Sequence, residues 1–258
     1  MGKSTVINMY EHIPKKYLQN SNYYNPNKEA PKHPARILIC GASGSGKSNL
    51  AINLIREMRC FDKVYLFAKK LDEPLYLWLV DTYSAIGKKH GVEMIVYSDK
   101  IEDIPNPKDF NPSIQNLVIV DDMITESAKK LQNVSELFSK GRKDNITTMM
   151  LSQSYTMAPK FLRDQCNYII LKSIRSAITF KTIISNYNMD YEPKQIYALY
   201  KEATKKMTDF FMIDLESTDE KMRFRKNYDS ISVSDLNKAP KRLSFSELNS
   251  SNLTKKVV

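Results

Sequence analysis

Residues 35–58 decide the fold of this chain; they read ARILICGASGSGKSNLAINLIREM. The first part, ARILICG, is a short apolar run that ends in glycine, which is typical of a buried parallel strand. The last part, NLAINLIREM, places apolar residues at helical spacing. Three of the chain's seven glycines lie in the loop between these two parts. The stretch therefore predicts a strand, a glycine-rich loop and a helix in direct succession.

The loop at 41–48 matches the pattern GxxxxGK[ST]. Loops of this kind wrap phosphates with successive backbone N–H groups at a helix N-terminus, while the glycines allow close approach. We expect Lys47 to reach the β- and γ-phosphates of ATP, and the Ser48 hydroxyl to ligate Mg²⁺. A glycine-rich turn without a ligand is the weaker alternative. The predicted nucleotide-binding residues are Gly41, Ala42, Ser43, Gly44, Ser45, Gly46, Lys47, Ser48 and Asn49.

Strand-like and helical patterns alternate along the rest of the chain. Apolar runs predict strands at 63–69, 93–98, 116–122, 146–153 and 168–173, and helical patterns lie near 73–88, 126–140, 159–165, 176–187 and 192–206. Two further strand-like runs, at 209–216 and 221–228, predict a terminal hairpin. Strands that alternate with helices imply right-handed crossovers and a mostly parallel sheet with helices on both faces. We therefore expect an α/β fold.

Two consecutive acidic residues follow the apolar run at 117–120. A phosphate-binding loop requires an acidic residue at the end of a neighbouring strand to hold Mg²⁺, and Asp121 has the position expected of that ligand. Asp122 is then placed to orient or deprotonate the attacking water, since a general base acts within hydrogen-bond reach. A helix N-cap is a real alternative for Asp122. The predicted metal-binding residues are Ser48 and Asp121.

The strand predicted at 146–153 ends in a polar residue, Gln153. A glutamine at this strand end can sense the γ-phosphate or position a water molecule. It can equally cap the segment that follows, and the pattern alone does not separate the two interpretations. Gln153 is therefore a candidate catalytic residue with an open alternative.

The chain carries 39 basic and 29 acidic residues, a formal charge of +10, and most of this excess lies at its ends. Residues 1–36 carry +4 and residues 238–258 carry +4, so residues 37–237 hold only +2. Solvated tails and basic arms on nucleic-acid phosphates explain this distribution about equally well. Charge alone does not decide whether the chain binds DNA.

Two clusters of basic side chains in the second half of the chain are candidates for DNA contact. They are Lys201, Lys205 and Lys206, and Arg223, Arg225 and Lys226. Alternation across 222–228 favours the solvent side of a hairpin over DNA contact for the second cluster.

Composition divides the chain into three parts. Residues 1–34, rich in Asn, Tyr, Lys and Pro, predict an extended basic arm. Residues 35–229 hold the phosphate-binding loop and the alternating pattern, and form the predicted nucleotide-hydrolysing domain. Residues 230–258 predict a mobile basic tail.

Several classes of protein are excluded by composition. With 42% apolar and 26% charged residues the chain is not disordered or collagen-like. The three cysteines form no CxxC pair, which argues against a zinc site or a disulfide framework and favours small buried hydrophobes. No apolar run approaches the roughly 18 residues of a transmembrane helix, and the polar start lacks a signal peptide's apolar stretch. We expect no membrane partner.

Five segments together resemble the FtsK–HerA superfamily of ring-forming, DNA-pumping ATPases. They are GASGSGKS (41–48), NLVIVDDM (116–123), FSKGRKDNITTMMLSQSY (138–155) and, more loosely, DFFMIDLE (209–216) with MRFRKNY (222–228). Within the superfamily the chain is most similar to the poxvirus-type genome-packaging ATPases of large DNA viruses and virophages. The resemblance implies a RecA/ASCE-like P-loop fold over roughly 36–228.

The resemblance also implies residue roles. In the superfamily the glutamine at the position of Gln153 is a sensor, and an arginine at the position of Arg142 is a finger inserted into the neighbouring subunit's nucleotide site. Such an arginine stabilises charge on the transferred phosphoryl group. Arg142 lies in a basic loop, which is usually just solvated. Asp122 departs from the family pattern, because many cellular members have a glutamate at this position.

The function implied is a motor that couples ATP hydrolysis, with Mg²⁺, to translocation of double-stranded DNA into a viral capsid. Its implied partners are a homo-oligomeric ring of itself, a pentamer or hexamer, and viral capsid proteins. Its implied location is the host cytoplasm at the site of viral assembly, or the virion.

Two other functions are compatible with the same loop. A small-molecule or nucleotide kinase would use Lys47, Ser48 and Asp121 alike, but no arginine-rich lid is evident in the sequence. A non-motor nucleotide switch would leave Gln153 and Arg142 without a purpose.

Overall fold

The structure, a computed structural model, describes residues 11–12, 14, 25–123, 130–187 and 191–236. Most of the predicted N-terminal arm (1–34) and C-terminal tail (230–258) lies outside these residues. Part of the helix predicted at 126–140 does so as well.

Nine strands of the described residues form one sheet. They are β1 (Arg36–Cys40), β2 (Lys63–Ala68), β3 (Ile95–Ser98), β4 (Asn116–Asp121), β5 (Ile146–Ser152), β6 (Tyr168–Leu171), β7 (Phe211–Asp214), β8 (Phe224–Lys226) and β9 (Asp229–Ser230). Their spatial order is β3-β2-β4-β5-β1-β6-β7-β8-β9. The first six in this order run parallel, and the last three pair antiparallel.

Helices cover both faces of the sheet. They are α1 (Lys47–Met58), α2 (Pro74–His90), α3 (Gln132–Lys140), α4 (Lys160–Gln165), α5 (Ala177–Tyr187), α6 (Pro193–Ala203) and the short α7 (Val233–Leu236). Side chains of α1 and α2 pack with Ile37 and Ile39 of β1 in one core. Side chains of α3 to α6 pack with Leu38 and Cys40 in the other. Successive β1 residues therefore face opposite cores, as the alternation of a strand requires.

Helix α1 is fixed by its buried face. Its buried residues are Leu50, Ala51, Leu54, Ile55 and Met58, which recur at the 3–4-residue spacing of one helix face. Burying one such Leu or Met side chain contributes about 1.5–3 kcal/mol. The loop before α1 is thus held between a buried strand and a buried helix.

The strand order brings distant parts of the sequence to one edge. β5 lies between β1 and β4, with Cys40 opposite Ser152 and Asp121 opposite Leu151. Because these strands are parallel, their carboxyl ends meet at the same edge. The loop after β1, the acidic end of β4 and Gln153 after β5 are therefore neighbours.

The predicted α/β fold is confirmed, and each predicted strand and helix of the described residues has a counterpart. The three cysteines are buried, as predicted. Burial raises the pKa of Cys40 and of Cys60 to about 12, so both thiols stay protonated. Strand β9 and helix α7 are elements that the sequence did not predict.

The predicted solvent exposure of Arg225 is wrong. Its side chain is 6% exposed and forms an ion pair with Asp214 of β7. The segment before β1 covers this side of the hairpin, because Arg225 Nη1 donates to the carbonyl oxygen of Glu29 at 2.6 Å. Alternation within a hairpin does not reveal a distant segment that packs on it.

None of the helices among the described residues combines the length and the hydropathy that a membrane span requires.

Candidate active site

A cleft lies at the carboxyl edge of the sheet, over the ends of β1, β4 and β5. Its volume is about 460 Å³. It is lined by Ser43, Gly44, Gly46, Lys47, Ser48, Asn49, Lys69, Lys70, Glu73, Leu75, Asp121, Asp122 and Gln153. We call it the carboxylate cleft, because three acidic side chains converge in it. Most of the residues predicted from the sequence meet here.

The loop at 41–48 has the backbone of an anion-binding loop. Gly46 precedes α1 with φ 85°, a left-handed conformation that disfavours side chains, and no side chain caps the helix. The first backbone N–H groups of a helix lack intrahelical partners. At Gly41 a Cβ atom would lie 2.5 Å from Ser45 Oγ and 2.6 Å from Lys172 Cβ. The loop is therefore tight, and its N–H groups can bind an anion.

Lys47 closes the loop on itself. Its Nζ donates to the carbonyl oxygen of Gly41 at 3.1 Å and to that of Ala42 at 3.4 Å. Ser45 Oγ is buried and has no hydrogen-bond partner among the described residues. A cation inside the loop together with an orphaned hydroxyl fits an incoming phosphate group.

Ser48 and Asp121, the two predicted Mg²⁺ ligands, line the carboxylate cleft together. Both offer oxygen, the ligand that Mg²⁺ prefers, and Mg²⁺ in nucleotide sites takes its remaining ligands from phosphates and water. The described residues hold no group of three or more His, Cys, Asp or Glu arranged for a metal. A nucleotide-dependent Mg²⁺ site does not require one.

Asp121 is held by a buried tyrosine. Tyr76 OH donates to Asp121 Oδ2 at 2.6 Å. Burial raises the pKa of Asp121, while the Tyr76 hydrogen bond and the charge of Lys47 oppose this effect. Burial and the charge of Asp121 raise the pKa of Tyr76, so the phenol stays protonated and acts as a donor. Tyr76 thus occupies Oδ2 and leaves Oδ1 for another contact.

Asp122 and Gln153 form a pair on the other side of Asp121. Asp122 has φ 57°, an uncommon value for a non-glycine residue. Gln153 Nε2 donates to Asp122 Oδ2 at 2.9 Å. Residues 124–129 lie outside the described residues, so an N-cap role for Asp122 is not tested. Both side chains line the carboxylate cleft next to Asp121.

A second cleft of about 300 Å³ adjoins the loop and shares Ser43 and Gly44 with the carboxylate cleft. It is lined by Ala42, Ser43, Gly44, Ser45, Lys172, Ser173, Arg175, Thr204, Lys205, Lys206, Met207 and Asp209. We call it the basic cleft. Lys172 is buried in its wall, and its Nζ donates to the carbonyl oxygens of Met207 and Asp209 at 2.5 and 2.8 Å.

The family model described as Poxvirus A32 protein matches residues 23–237. This chain belongs to the poxvirus A32 protein family. The match covers the whole sheet and confirms the resemblance that the sequence motifs predicted. No curated protein sequence matches the chain.

Two solved structures share the fold of this A32-family chain. One is B204, the DNA-packaging ATPase from Sulfolobus Turreted Icosahedral Virus, with a TM-score of 0.52 and 18% identity over 75% of this chain and 96% of that chain. The other is the genome packaging NTPase B204 from Sulfolobus turreted icosahedral virus 2 in complex with ATP-gammaS, with a TM-score of 0.51 and 16% identity over 74% of this chain and 96% of that chain. At these identities the likeness shows the P-loop fold.

Arg142 is the one predicted catalytic residue of the A32-family chain that lies away from the carboxylate cleft. It sits in the turn Gly141–Asp144 before β5, with 63% of its side chain exposed and Nη1 3.9 Å from Glu216 Oε1. β5 has seven residues, and a strand rises about 3.3 Å per residue, so its two ends lie about 20 Å apart. Arg142 therefore lies too far from the carboxylate cleft of this chain to reach it.

Among the residues that were missed from the sequence, three make hydrogen bonds at the two clefts: Glu73, Tyr76 and Lys172. Glu73 stands before Pro74, a helix-start signal that carries no hint of a site. Tyr76 lies in an apolar helical run without any distinguishing mark. Lys172 follows the apolar run 168–171, and the rule that pointed to Asp121 and Gln153, a polar residue after a buried strand, also fits Lys172.

Proposed function

We propose that this chain is an ATP-driven motor that moves a double-stranded DNA genome into a viral capsid. The observation that carries the proposal is the meeting of Lys47, Ser48, Asp121, Asp122 and Gln153 in one cleft of an A32-family chain. ATP hydrolysis in that cleft is the reaction that supplies the energy.

The carboxylate cleft divides the work among its residues. Lys47 and the loop N–H groups bind the phosphates, and Ser48 with Asp121 would hold Mg²⁺, which neutralises phosphate charge. Asp122 orients and deprotonates the attacking water, and the hydrogen bond from Gln153 fixes the carboxylate that does so. This hydrogen bond allows Gln153 to act as a sensor of the γ-phosphate. A phosphate oxygen that accepts a hydrogen bond from the Gln153 amide would break the bond to Asp122 and release its carboxylate.

The exposed position of Arg142 supports a shared active site. Because Arg142 is about 20 Å from its own cleft along β5, it acts on a neighbouring subunit, where it stabilises the charge of the transferred phosphoryl group. A homo-oligomeric ring of five or six subunits provides such a neighbour for every site.

The partners follow from the same proposal. Double-stranded DNA is the substrate that is moved, and viral capsid proteins are the docking surface. In the sequence, a nucleotide-hydrolysing domain at 35–229 lies between two basic ends, residues 1–34 and 230–258. The motor acts in the host cytoplasm at the site of viral assembly, or in the virion.

One experiment tests the proposal against the two alternative functions. ATP hydrolysis is measured with and without double-stranded DNA, and the mass of the assembly is measured in the presence of nucleotide. A motor hydrolyses ATP faster with DNA and forms a ring. Phosphate transfer to a small molecule by a monomer would identify a kinase. Nucleotide binding without DNA-dependent turnover would identify a switch.

Mixed rings extend the same experiment to Arg142. Arg142→Ala is expected to bind ATP but to be nearly inactive, because its own phosphate-binding loop is intact. Mixing it with Lys47→Ala subunits creates some interfaces that pair an intact loop with an intact arginine. Hydrolysis above the sum of the two single variants supports a shared site. A normal rate of Arg142→Ala in proven rings assigns Arg142 to a solvated loop.

A further inference from the structure

Glu73 contacts a predicted Mg²⁺ ligand although no motif includes it. The residue precedes α2, with Pro74 in the first turn of that helix. Its side chain is half-buried and lines the carboxylate cleft. Ser48 Oγ donates to Glu73 Oε2 at 3.1 Å. The hydroxyl that is expected to ligate Mg²⁺ is therefore hydrogen-bonded to a carboxylate.

The other predicted Mg²⁺ ligand is held by the same short segment. Tyr76, three residues after Glu73, donates to Asp121 at 2.6 Å. The beginning of α2 thus contacts both predicted Mg²⁺ ligands. Glu73 makes no side-chain cap hydrogen bond to α2. Its carboxylate is consequently not needed to begin the helix.

The geometry points to Glu73 as a positioning residue that makes nucleotide binding depend on the metal. This inference rests on the proposed function of the carboxylate cleft. A carboxylate next to Ser48 and Asp121 attracts a divalent cation, whereas it repels a phosphate chain that arrives without one. Glu73 therefore raises the affinity for the metal–nucleotide complex and lowers the affinity for the free nucleotide.

The proposed effect of Glu73 is a coupling between the binding of Mg²⁺ and the binding of the nucleotide, and such a coupling can be measured from dissociation constants. The ratio of the nucleotide Kd without Mg²⁺ to the Kd with Mg²⁺ gives the coupling, and this ratio is independent of turnover. A residue that only supports the fold changes both constants in the same direction. Glu73 is expected to change them in opposite directions.

The chain offers a matched control one residue away. Asp72 is exposed and does not line the carboxylate cleft. Asp72→Asn removes the same charge as Glu73→Gln from the same turn. Glu73→Asp keeps the charge on a shorter side chain, and is the conservative variant.

The experiment measures binding of a hydrolysis-resistant ATP analogue to the full chain by calorimetry, in excess Mg²⁺ and in EDTA. For Glu73→Gln we expect tighter binding in EDTA, weaker binding in Mg²⁺, and a coupling ratio reduced about tenfold. Asp72→Asn is expected to keep the wild-type ratio, and Glu73→Asp to recover part of it. Circular dichroism of each variant checks that the chain is folded.

Two outcomes overturn the inference. If Glu73→Gln keeps the wild-type ratio, including the case in which it weakens binding equally in both conditions, Glu73 has no specific relation to the metal. If Asp72→Asn lowers the ratio as much as Glu73→Gln does, a general field effect explains the result. In each case the wild type still binds nucleotide with Mg²⁺, and the proposed function stands. Absence of nucleotide binding by the wild type would overturn both together.

Discussion

The two clefts beside the phosphate-binding loop share Ser43 and Gly44 but differ in charge. The carboxylate cleft contains three acidic side chains, Glu73, Asp121 and Asp122, together with lysines. The basic cleft contains Lys172, Arg175, Lys205 and Lys206 against a single carboxylate. A metal ion and an attacking water molecule need carboxylates, whereas an anion needs cations. We infer that catalysis belongs to the carboxylate cleft and that the basic cleft is suited to binding an anion.

The comparison has a kinetic consequence. Changes in the carboxylate cleft are expected to alter turnover, since groups that act only in the transition state lower kcat. Changes in the basic cleft are expected to alter stability and to leave the chemical step intact.

The largest effect is expected for Lys47, the cation inside the loop. Lys47→Ala removes the direct positive partner of the phosphates, so ATP hydrolysis is expected to fall by at least about 100-fold, equivalent to about 2.7 kcal/mol in the barrier. Steady-state phosphate release measures it. Lys206→Ala, an exposed lysine of the basic cleft, is the control. Retained turnover in Lys47→Ala would show that the active site lies elsewhere.

The next effect separates the two aspartates of the carboxylate cleft. Asp122→Asn is expected to keep nucleotide affinity and to lower kcat about 10²-fold, because a general base contributes about 10²–10⁴-fold. Asp121→Asn is expected to impair Mg²⁺-dependent hydrolysis, because it removes a predicted carboxylate ligand and weakens the acceptor of the Tyr76 hydrogen bond. Binding and turnover are measured separately. Loss of affinity with normal saturated turnover in Asp122→Asn would contradict its role as base.

The sequence predicted the carboxylate cleft better than the basic cleft for a physical reason. Lys47, Ser48 and Asp121 belong to local strings whose spacing follows from backbone geometry at a loop and a strand end. Gln153 joins them only because β5 lies between β1 and β4, an order that local pattern does not predict. Elements that are long and strongly patterned were therefore predictable, and so was the edge at which they end.

Contacts between distant segments were not predictable. Glu73 reaches Ser48 across 25 residues of sequence, and Lys172 reaches Met207 across 35. Arg225 reaches Glu29 across 196, which reversed its predicted exposure. Such contacts depend on which loops lie next to each other at the edge of the sheet. Neither the periodicity nor the composition of the sequence predicts which loops these are.

The smallest effect is expected in the basic cleft, at Lys172, and it concerns stability. Burial lowers the pKa of Lys172, and the charge of Asp209 opposes this effect. As pH rises past the folded-state pKa, the folded chain loses this proton while the unfolded chain keeps it up to about pH 10.4. The unfolded state then binds more protons, so stability increases with pH in that window.

Lys172→Met lacks the titrating amine, so its stability should not show this increase with pH. We expect the Tm of the wild type to rise relative to that of Lys172→Met as the pH is raised toward about 10.4, with about 2–4 °C corresponding to 1 kcal/mol for a chain of this size. Lys206→Met removes a charge from the exposed rim of the same basic cleft, where solvent screens it, so a smaller change is expected. Thermal unfolding of the three proteins across alkaline pH measures both differences. An equal change in both variants would assign the effect to net charge, and would remove the distinction between the buried wall and the exposed rim of the basic cleft.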